Sequence, residues 1–442
     1  MNSPRTNYIN PGEYNVVEVI MESTLLKDRK LDIGSIWTAM SVFENIFTNT
    51  LTGNIILTDT HNLLSNFPVV GHETISINIE SPDIEGATPI KRKFRVYRVS
   101  DVTDQGESTK RYMVNFISEE YFTNMKTSVS KSYNDHVISD IVEKIFDSYL
   151  DSDRDLFIEK TKNKYDIIIP FWKPLEAFNW LSARATPENR DGANYFFYET
   201  RDGFCFKSME SLFDQEPEEI YSWDLQNMPD FTGRRQPDME AYRKLDSYEL
   251  ASVFDMGEKI PRGTYASRLV IHDMLKKNIE TVDFDYGEGY KNYSHLEKTK
   301  AKKIWMLSDR QVPSQDTTML VGDGVDGLTT SPLSQQSFIS RHGDKNKYDE
   351  TTLQIRNSQL EQLHSIQTNV TIPGDTTRQV GDVIKLLLPS AENPYSEDVS
   401  EDALYSGNYL ISGLRHRFTA DKHEMIMELL KDSYYNSLPK EN

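Results

Sequence analysis

The chain has 442 residues, of which 37% are hydrophobic and 27% are charged, and its net charge at pH 7 is −20. This length exceeds what one hydrophobic core usually serves, so we expect two to four domains, and the negative charge argues against a surface that wraps nucleic acid. Because no apolar run approaches the roughly 18 residues of a membrane span and the first ten residues are polar, the sequence predicts neither a membrane helix nor a signal peptide.

The single cysteine, Cys205, lies in an apolar run that we interpret as a buried strand. One cysteine forms no internal disulfide and no cysteine-based metal site, which predicts assembly in a reducing cytoplasm. The chain contains 23 Tyr, 20 Phe and 5 Trp, a content typical of protein interfaces or of β-rich cores. The acidity itself fits either a wall that repels phosphate or simple solubility.

Residues 14–122 are predicted to form consecutive short strands. Apolar and polar residues alternate in Ile75–Ile79, and Phe94–Val99 and Tyr112–Ile117 repeat the alternation after turn-rich segments. Short strands joined by turns favour an antiparallel barrel or sandwich.

The hydrophobic period changes near residue 123. Apolar pairs in Val137–Leu150 fall at helical spacing, with Asn134 or Asp135 as the candidate N-cap. A second helix is predicted from Pro174 to about Ala185. The segment Tyr195–Phe206 is predicted to be a hairpin around its Asp-Gly turn, so this part of the chain mixes α and β structure.

Residues 240–285 are predicted to be extended, and residues 287–350 are predicted to form a long loop or an inserted arm. The arm contains a Gly/Asp-rich stretch, residues 322–327, and a Ser/Thr/Gln-rich run, residues 329–340. Residues 323–327 faintly resemble a calcium loop but lack its 12-residue ligand pattern with a terminal bidentate Glu, so we interpret them as flexible loop.

Regular structure is predicted to return at the C-terminus. Leu353–Ile366 suits a helix, and the following apolar runs suit strands. The predicted strands are Val370–Gly374, Val380–Leu388, Gly407–Phe418 and Glu424–Leu430. The β-rich beginning and end of the chain suggest two similar barrels.

Catalytic and metal-binding motifs do not stand out. The nine histidines form no HExxH motif, and the sequence contains no Gly-x-Ser-x-Gly elbow and no Walker phosphate loop. His416 and His423 lie on adjacent predicted strands and could approach each other, but without a third local ligand we interpret them as structural. No carboxylate pair is singled out for glycosidase chemistry. Trp172 is interpreted as a core or domain-junction aromatic rather than as a stacking platform.

The C-terminal motif resembles the end of the hub family of contractile tails. In that family, a strand after a Gly-Asp turn, a Tyr-x-Ile/Val strand with His nearby and a last strand complete a tube-like barrel. The residues that match here are Gly374, Gly381, Asp382, Gly407, Tyr409, Ile411, His416 and Phe418. The family includes the T-even phage baseplate hub subunit, the Mu- and P2-type tail hub proteins and the N-terminal part of type VI secretion spike proteins.

Two further segments resemble the same family. Residues 169–181 are similar to the Pro-Trp and helix segment of the T-even hub's middle domain, and residues 265–273 are similar to a segment of large-phage hubs. The middle-domain residues that match are Pro170, Trp172, Pro174, Phe178 and Leu181. Residues 287–350 do not match well.

The resemblance implies a β-rich α+β fold with two antiparallel tube-type β-barrels flanking a mixed α/β middle domain. By analogy, the first barrel is residues 14–122. The middle domain is 123–214 with 258–357, and it includes the arm. The second barrel is 215–257 with 358–434, and residues 435–442 are a flexible tail.

The resemblance further implies a structural virion protein without catalytic, cofactor or metal residues. Three copies would form a pseudo-sixfold ring that joins a hexameric tail tube to a trimeric spike and lets DNA pass without specific binding. The implied partners are further copies of the chain, the tube and spike proteins, and baseplate wedge and tape-measure proteins, but no membrane. Two alternatives stay open, namely the hub of a bacterial contractile injection or type VI-like system and a tail-associated cell-wall hydrolase.

Overall fold

A computed structural model describes residues 11–23, 25, 29–67, 69–81, 87–106, 109–223, 241–253, 255–259, 262–273, 275–297, 335–341, 348–390, 402 and 404–434. The predicted tail 435–442 and most of the predicted arm therefore lie outside the described residues. Among the described residues, no helix is long and apolar enough to cross a membrane.

The N-terminal part of the chain forms seven strands of a large sheet. Their inward side chains, such as Ile55, Ile77 and Phe116, are fully buried and form one core, because every second residue of each strand points to the same side. The strands are β1 (Asn15–Glu22), β2 (Lys30–Asp32), β3 (Trp37–Asn45), β4 (Thr52–Asp59), β5 (Thr74–Glu80), β6 (Ile90–Asp104) and β7 (Lys110–Ser118). A short helix, α1 (Leu63–Asn66), connects β4 to β5.

The middle of the chain packs helices against two small sheets. The ribbon of β8 and β10 is antiparallel, whereas β9 pairs parallel to β12 beside the β11–β12 hairpin. The elements are α2 (Glu119–Lys126), β8 (Val129–Val137), α3 (Ile138–Ile145) with a π turn (Phe146–Leu150), β9 (Asp155–Ile158), β10 (Lys164–Trp172), α4 (Pro174–Ser182), β11 (Tyr195–Glu199), β12 (Gly203–Ser208) and α5 (Met209–Phe213).

A second group of elements follows from residue 220 onwards. The elements are β13 (Ile220–Ser222), a 3-10 turn (Ala241–Arg243), β14 (Ser247–Ser252), α6 (Met256–Lys259), β15 (Ala266–Asp273), β16 (Asn278–Asp285), α7 (Tyr286–Gly289), a 3-10 turn (Tyr290–Asn292), β17 (Gln335–Arg341), α8 (Tyr348–Leu363), β18 (Ile366–Pro373), β19 (Val383–Leu387), β20 (Gly407–Thr419) and β21 (His423–Lys431). Strands β16, β15 and β17 form a separate three-stranded sheet.

The large sheet contains two halves with the same strand order. The first half runs β3–β4–β7–β6–β5–β1, and the second runs β14–β18–β21–β20–β19–β13. A bulge recurs at the equivalent place, between Val96 and Arg98 in β6 and between Ile411 and Gly413 in β20. The halves differ at their last strand, because β1 is antiparallel to β5 whereas β13 is parallel to β19.

Most elements that the sequence predicted are present. The structure confirms the β-rich prediction, the helix that begins at Pro174, the hairpin across residues 195–206 and the burial of Cys205. The two-barrel arrangement stays a prediction, since the halves belong to one continuous sheet.

Two local predictions were wrong. The predicted cap at Asn134 or Asp135 lies inside β8, and α3 begins only after Val137, because Val137 still pairs with Lys164 of β10. Residues 335–341, predicted as part of a loop-like arm, form β17 alongside β15, so that tertiary pairing overrides a polar local composition.

Candidate functional site: the seam between the two sheet halves

The two halves of the large sheet join where β20 pairs with β3, and we call this junction the seam. Residues 413–419 of β20 pair antiparallel with residues 39–45 of β3, whereas the first residues of β20 pair with β19. Arg415 crosses the seam, because its Nε and Nη2 atoms donate to Ser41 Oγ at 3.2 and 3.1 Å and its guanidinium lies 5.4 Å from the centre of the Phe43 ring. The seam therefore combines backbone pairing with side-chain contacts.

A pair of buried histidines lies on the core side of the seam. His416 Nδ1 and His423 Nε2 are 3.1 Å apart, and Phe418 stacks on His423 with ring centres 4.2 Å apart. Burial lowers the pKa of His416 to about 3 and also lowers the pKa of His423, so both rings are neutral. Gly374 makes this packing possible, because a Cβ there would lie 2.2 Å from the His423 ring.

A buried ion pair ties the first half to the middle of the chain. Arg92 of β6 contacts the carboxylate of Glu199 on β11, whose Oε2 atom also accepts from the Leu51 backbone N–H at 2.9 Å. Both side chains are at most 5% exposed. Burial lowers the pKa of Arg92 to about 10. One backbone carbonyl oxygen, that of Arg201, extends this ion pair into a network, because Arg92 and Arg154 both donate to it.

Two buried carboxyl groups flank the same junction. Glu44 of β3 accepts from the Val380 backbone N–H at 3.3 Å, and Asp382 accepts from the Gln379 backbone N–H at 3.0 Å. Burial raises the pKa of Glu44 to about 7 and that of Asp382 to about 6, although nearby Arg201 opposes both shifts. The first half, the second half and the middle of the chain thus share one buried polar network.

The structure brings the C-terminal motif residues together in three groups. His416, Phe418 and Gly374 lie together beneath the seam. In the second group, the Ile411 backbone N–H donates to the Asp382 carbonyl oxygen at 2.9 Å, and the Gly381 N–H donates to the Ile411 carbonyl oxygen at 2.9 Å. The third group is at the start of β20, where the buried Tyr409 donates to the Tyr405 carbonyl oxygen at 2.6 Å, close to Gly407.

The middle-domain motif residues surround α4. Pro174 is the first residue of the helix, Leu181 is fully buried and Phe178 stacks on Phe197 with ring centres 4.1 Å apart. Trp172 packs edge-on against Trp180 with ring centres 5.4 Å apart, at the margin of the core in the middle of the chain. Pro170 is exposed on β10.

The described residues contain no cluster of metal-ligating side chains, and their remaining histidine contacts are accounted for by partners within the fold. No group of three or more His, Cys, Asp or Glu side chains there could hold a metal ion. His295 has both ring nitrogens occupied, by Asp432 Oδ2 at 2.5 Å and by the Tyr290 carbonyl oxygen at 2.8 Å. A groove of about 820 Å³ follows the seam on the face opposite the core, and it is lined by residues of β3, β14, β18, β20 and β21.

Sequence reasoning missed the buried charges at this junction. Glu44, Arg92, Glu199 and Arg201 carry no motif, and charged residues in a strand normally indicate a solvated face. The one available signal is that the residues two positions away, on the same face of the strand, are apolar: Val42 and Ile46 beside Glu44, and Ile90 and Phe94 beside Arg92. Their partners lie more than 100 residues away, so local pattern could not reveal them.

Comparisons with known proteins agree with this architecture. No protein-family model matches the chain. The chain is 23% identical over 418 residues to the probable baseplate hub protein gp334 of Vibrio phage KVP40, and the match covers 90% of each protein.

Two solved structures share the fold at 9% identity. A tail protein from Neisseria meningitidis matches with a TM-score of 0.53 over 96% of this chain and 98% of its own. The 43 kDa tail protein of prophage MuSo2 from Shewanella oneidensis matches with a TM-score of 0.52 over 94% and 98%. The sequence match confirms the resemblance to a phage baseplate hub protein, and the two solved tail proteins share the fold.

Proposed function

We propose that this chain is the central hub of a contractile phage-tail baseplate and has no enzymatic role. Three copies form a ring that joins a hexameric tail tube to a trimeric spike and lets DNA pass. The protein belongs in the virion tail and assembles in the host cytoplasm. Its similarity to a probable baseplate hub protein over nine tenths of both chains supports the assignment.

The observation that carries the ring is the repeated strand order together with the seam. In the strand order, β20 of the second half is equivalent to β6 of the first, and β3 is equivalent to β14. The seam uses β20 and β3 within one chain. Beyond Val96, β6 pairs only with β7 among the described residues, and β14 pairs only with β18. The β6 edge of one copy can therefore repeat the seam with β14 of the next.

This second seam would close a ring of three chains. A head-to-tail contact closes into a ring when its rotation is a whole fraction of a turn, and two equivalent halves per chain make six positions from three copies. Such a ring has approximate sixfold symmetry, which matches the hexameric tube, and exact threefold symmetry, which matches the trimeric spike. Unpaired strand edges also favour addition of a partner strand.

Exposed apolar side chains lie on the β6 edge. Tyr97 is 49% exposed and Val102 is 52% exposed. On the other edge, Trp223 is 42% exposed and packs edge-on against Tyr248 of β14, with ring centres 5.2 Å apart. Pairing between copies would remove this apolar surface from water.

The charges on the face opposite the core are balanced rather than acidic as predicted, and a balanced lining also supports passage of DNA. Along β14, β18, β21, β20, β3, β4 and β7, side chains that alternate with the core residues are mostly amides, hydroxyls and apolar groups. The charged ones are Glu249, Glu424, Glu428, Arg415, Arg417 and Arg111, with equal numbers of each sign. Arg417 and Lys422 both pair with Glu424. A balanced lining neither holds nor strongly repels phosphate.

The ring is tested by the mass of the protein and by the β6 edge. Light scattering across concentrations should reach about 153 kDa, three times the 51.1 kDa chain. With the spike protein added, the complex should contain three copies of this chain in addition to the mass of the spike. A double variant, Tyr97→Asp with Val102→Asp, should keep the fold but stay monomeric, because it places two carboxylates on the pairing edge.

Val17→Asp is the matched control, since Val17 is 55% exposed on β1 of the same half and away from that edge. It should assemble like the unchanged chain. A trimer that forms equally well with the β6 double variant would contradict the proposed pairing. A chain that stays monomeric and binds neither tube nor spike protein would contradict the hub assignment itself.

A further inference from the structure

The equivalence of the two sheet halves relates residues of the β6 and β14 edges to residues of the seam. Counting from the shared bulge, Ser100 of β6 takes the place of Arg415 in β20. Leu250 of β14 takes the place of Val42 in β3, because the strands between them pair in the same order. The register of the seam can therefore be carried over to these two edges.

The strand β6 contains one residue more than β20 at this level. Ser100 and Thr103 pair with residues of β7 that are only two positions apart, so Asp101 and Val102 share the place of one residue. Asp101 has a φ of +53°, a left-handed backbone that occurs at bulges. The pairing of β20 with β21 has no shift from Gly413 to Phe418. The bulge at Asp101 is therefore absent from the seam strand.

The strand β14 also contains one extra residue, and it lies at the same level. Leu250 and Ser252 pair with consecutive residues of β18, so Ala251 is inserted between them. The corresponding residues 39–43 of β3 pair with β4 without a shift. When the seam register is carried over, the insertion in β6 lies directly opposite the insertion in β14.

The two insertions make the pairing between the edges regular, with one residue of β14 opposite each residue of β6. The opposed residues are Ser100 with Ser252, Asp101 with Ala251, Val102 with Leu250, Thr103 with Glu249 and Asp104 with Tyr248. An insertion on one edge alone would leave a residue unpaired. Two insertions at the same level indicate edges that pair with each other.

Pairing shifted by one residue in either direction is unfavourable. One shift places Asp104 opposite Glu249, which brings two carboxylates together. The other places Asp101 opposite Leu250 and Val102 opposite Glu249, so that each carboxylate faces an apolar side chain. Either shift also places core-facing side chains of one strand beside outward-facing side chains of the other.

On the core side, the unshifted register joins two apolar side chains. Leu250 lies on the same face of β14 as Tyr248, which packs against the core of the second half. Val102 is 52% exposed and points to the core side of β6, since the next residue, Thr103, lies beside the outward-facing Arg111. Contact between Val102 and Leu250 of the next copy removes apolar surface from water.

On the opposite face, the same register brings opposite charges into one row. Arg111 of β7 and Glu249 of the next copy lie on either side of Thr103, with their backbones about 10 Å apart, which is two strand spacings. Both charged side chains are exposed. Because Thr103 is small, Arg111 can extend over it toward the carboxylate, and opposite charges across strands attract.

We propose that β6 of one copy pairs with β14 of the next in this register, with Val102 against Leu250 and Arg111 beside Glu249. The inference rests on the proposed ring and specifies the contact that closes it. The matched insertions also make the contact selective, because the seam strands β3 and β20 lack them and would leave one residue unpaired against either edge.

Disulfide trapping tests the register directly. The variant Thr103→Cys with Glu249→Cys is oxidised at protein concentrations at which light scattering reports assembly. Non-reducing gels should then show linked dimers and trimers, because each copy offers its two thiols to different neighbours. The native Cys205 does not interfere, since it is buried and the pKa of its thiol is raised to about 11.

Val102→Cys with Glu249→Cys is the matched control, because it moves one thiol by one residue and to the other face of β6. This pair should link at least about tenfold more slowly, since its thiols are not opposed. Linking as fast as in the first pair would show a different register and overturn the inference. Dimers from Thr103→Cys alone would show that β6 meets β6, which also overturns it.

A charge exchange tests the outward face without a disulfide. Arg111→Glu places a carboxylate beside Glu249 of the next copy and should raise the concentration at which the trimer forms by about tenfold. Adding Glu249→Arg restores opposite charges and should restore assembly. Both positions are exposed, and urea unfolding of the monomer checks that the fold is kept. Assembly that is unchanged by the first variant, or not restored by the second, overturns the inference.

The same measurements distinguish failure of the register from failure of the ring. If the mass reaches three chains but Thr103→Cys with Glu249→Cys stays unlinked, the ring stands and the register is wrong. If the mass stays that of one chain under every condition, the ring itself is wrong.

Discussion

The two halves of the large sheet share a strand order but are built from the chain in different ways. The first half comes from one continuous segment, β1 to β7. The second is assembled from β13 and β14 and, after the separate sheet β15–β17 and helix α8, from the strands β18 to β21. The bulge in β6 recurs in β20, yet the cross-strand residues there differ, Asn115 in one half and Glu428 in the other. The two halves thus repeat the backbone hydrogen-bond pattern at this bulge although the side chains there differ.

The difference between the halves lies in how each uses its edges. In the second half, β20 pairs across the seam and β14 has an unpaired edge among the described residues. In the first half, β3 pairs across the seam and the end of β6 has the unpaired edge. Equivalent strands are consequently buried in one half and exposed in the other. Substitutions at equivalent edges should therefore have unequal effects on the folding of one chain.

The largest expected contrast is between the seam and the open edge. Val42 on β3 is 2% exposed and lies opposite His416, so Val42→Asp buries a charge and should cost about 4 kcal/mol or more of the free energy of unfolding. Val102→Asp on the exposed part of β6 should change it by about 0.5 kcal/mol or less. Urea unfolding of the monomer measures both, and equal losses would refute the distinction.

The ion pairs of β6 give the next contrast. Arg92→Leu leaves Glu199 charged and buried, which should cost about 3–5 kcal/mol. Arg95→Leu, three residues along the same strand, removes a partner of Glu119, a side chain that is 55% exposed, and should cost about 1 kcal/mol or less. Thermal unfolding of the two variants measures the difference, and similar melting temperatures would mean that the buried pair does not hold the junction.

Features set by local chemistry could be predicted from the sequence. The hairpin at residues 195–206 follows from its Asp-Gly turn, and α4 begins at Pro174 because proline suits the first helical turn. Long strands such as β20 and β21 also alternate clearly enough to be found.

Features set by distant partners could not be predicted. The seam joins Arg415 to Ser41, 374 residues away, and no local pattern records that pairing. The approach of His416 and His423 was foreseen only because a short turn separates them. Their burial under the seam, like that of Glu44, depends on packing that a single strand does not reveal.

The histidine pair gives a pH-dependent contrast between the halves. The folded-state pKa of His416 is about 3 and that of His423 is also lowered, both below the unfolded value of about 6.5. The unfolded chain therefore binds protons first, so this stability is complete above pH 6.5 and is lost as the pH falls toward 3. Between pH 7 and 5.5 the pair should lose about 2.5 kcal/mol.

Glu44 of the first half has the opposite sign, and its pH dependence must be separated from that of the histidines. Its folded pKa of about 7 exceeds the unfolded value, so the folded chain binds the proton first and gains stability as the pH falls from 7 toward 4.5. Urea unfolding of the unchanged chain and of His416→Leu with His423→Leu, from pH 7 to 5.5, isolates the histidine contribution. Parallel pH profiles would contradict it, whereas Glu44→Gln should steepen the acid loss.

The smallest expected contrast compares two glycines in the strands. A Cβ at Gly53 of β4 would lie 2.2 Å from the Phe116 ring and 2.6 Å from the Ser41 carbonyl oxygen, so Gly53→Ala should cost about 1–3 kcal/mol by overpacking. At Gly413, in the β20 bulge, the tightest contacts of a Cβ would be with the ends of Glu428 and Asn45, at 3.2 and 3.3 Å, and these ends can move. Gly413→Ala should therefore be within about 0.5 kcal/mol of the unchanged chain, since alanine also restricts the unfolded state. Equal urea midpoints for the two variants would mean that the seam around Gly413 is packed as tightly as the core around Gly53. The seam and the exposed edge of β6 would then differ in packing as well as in pairing.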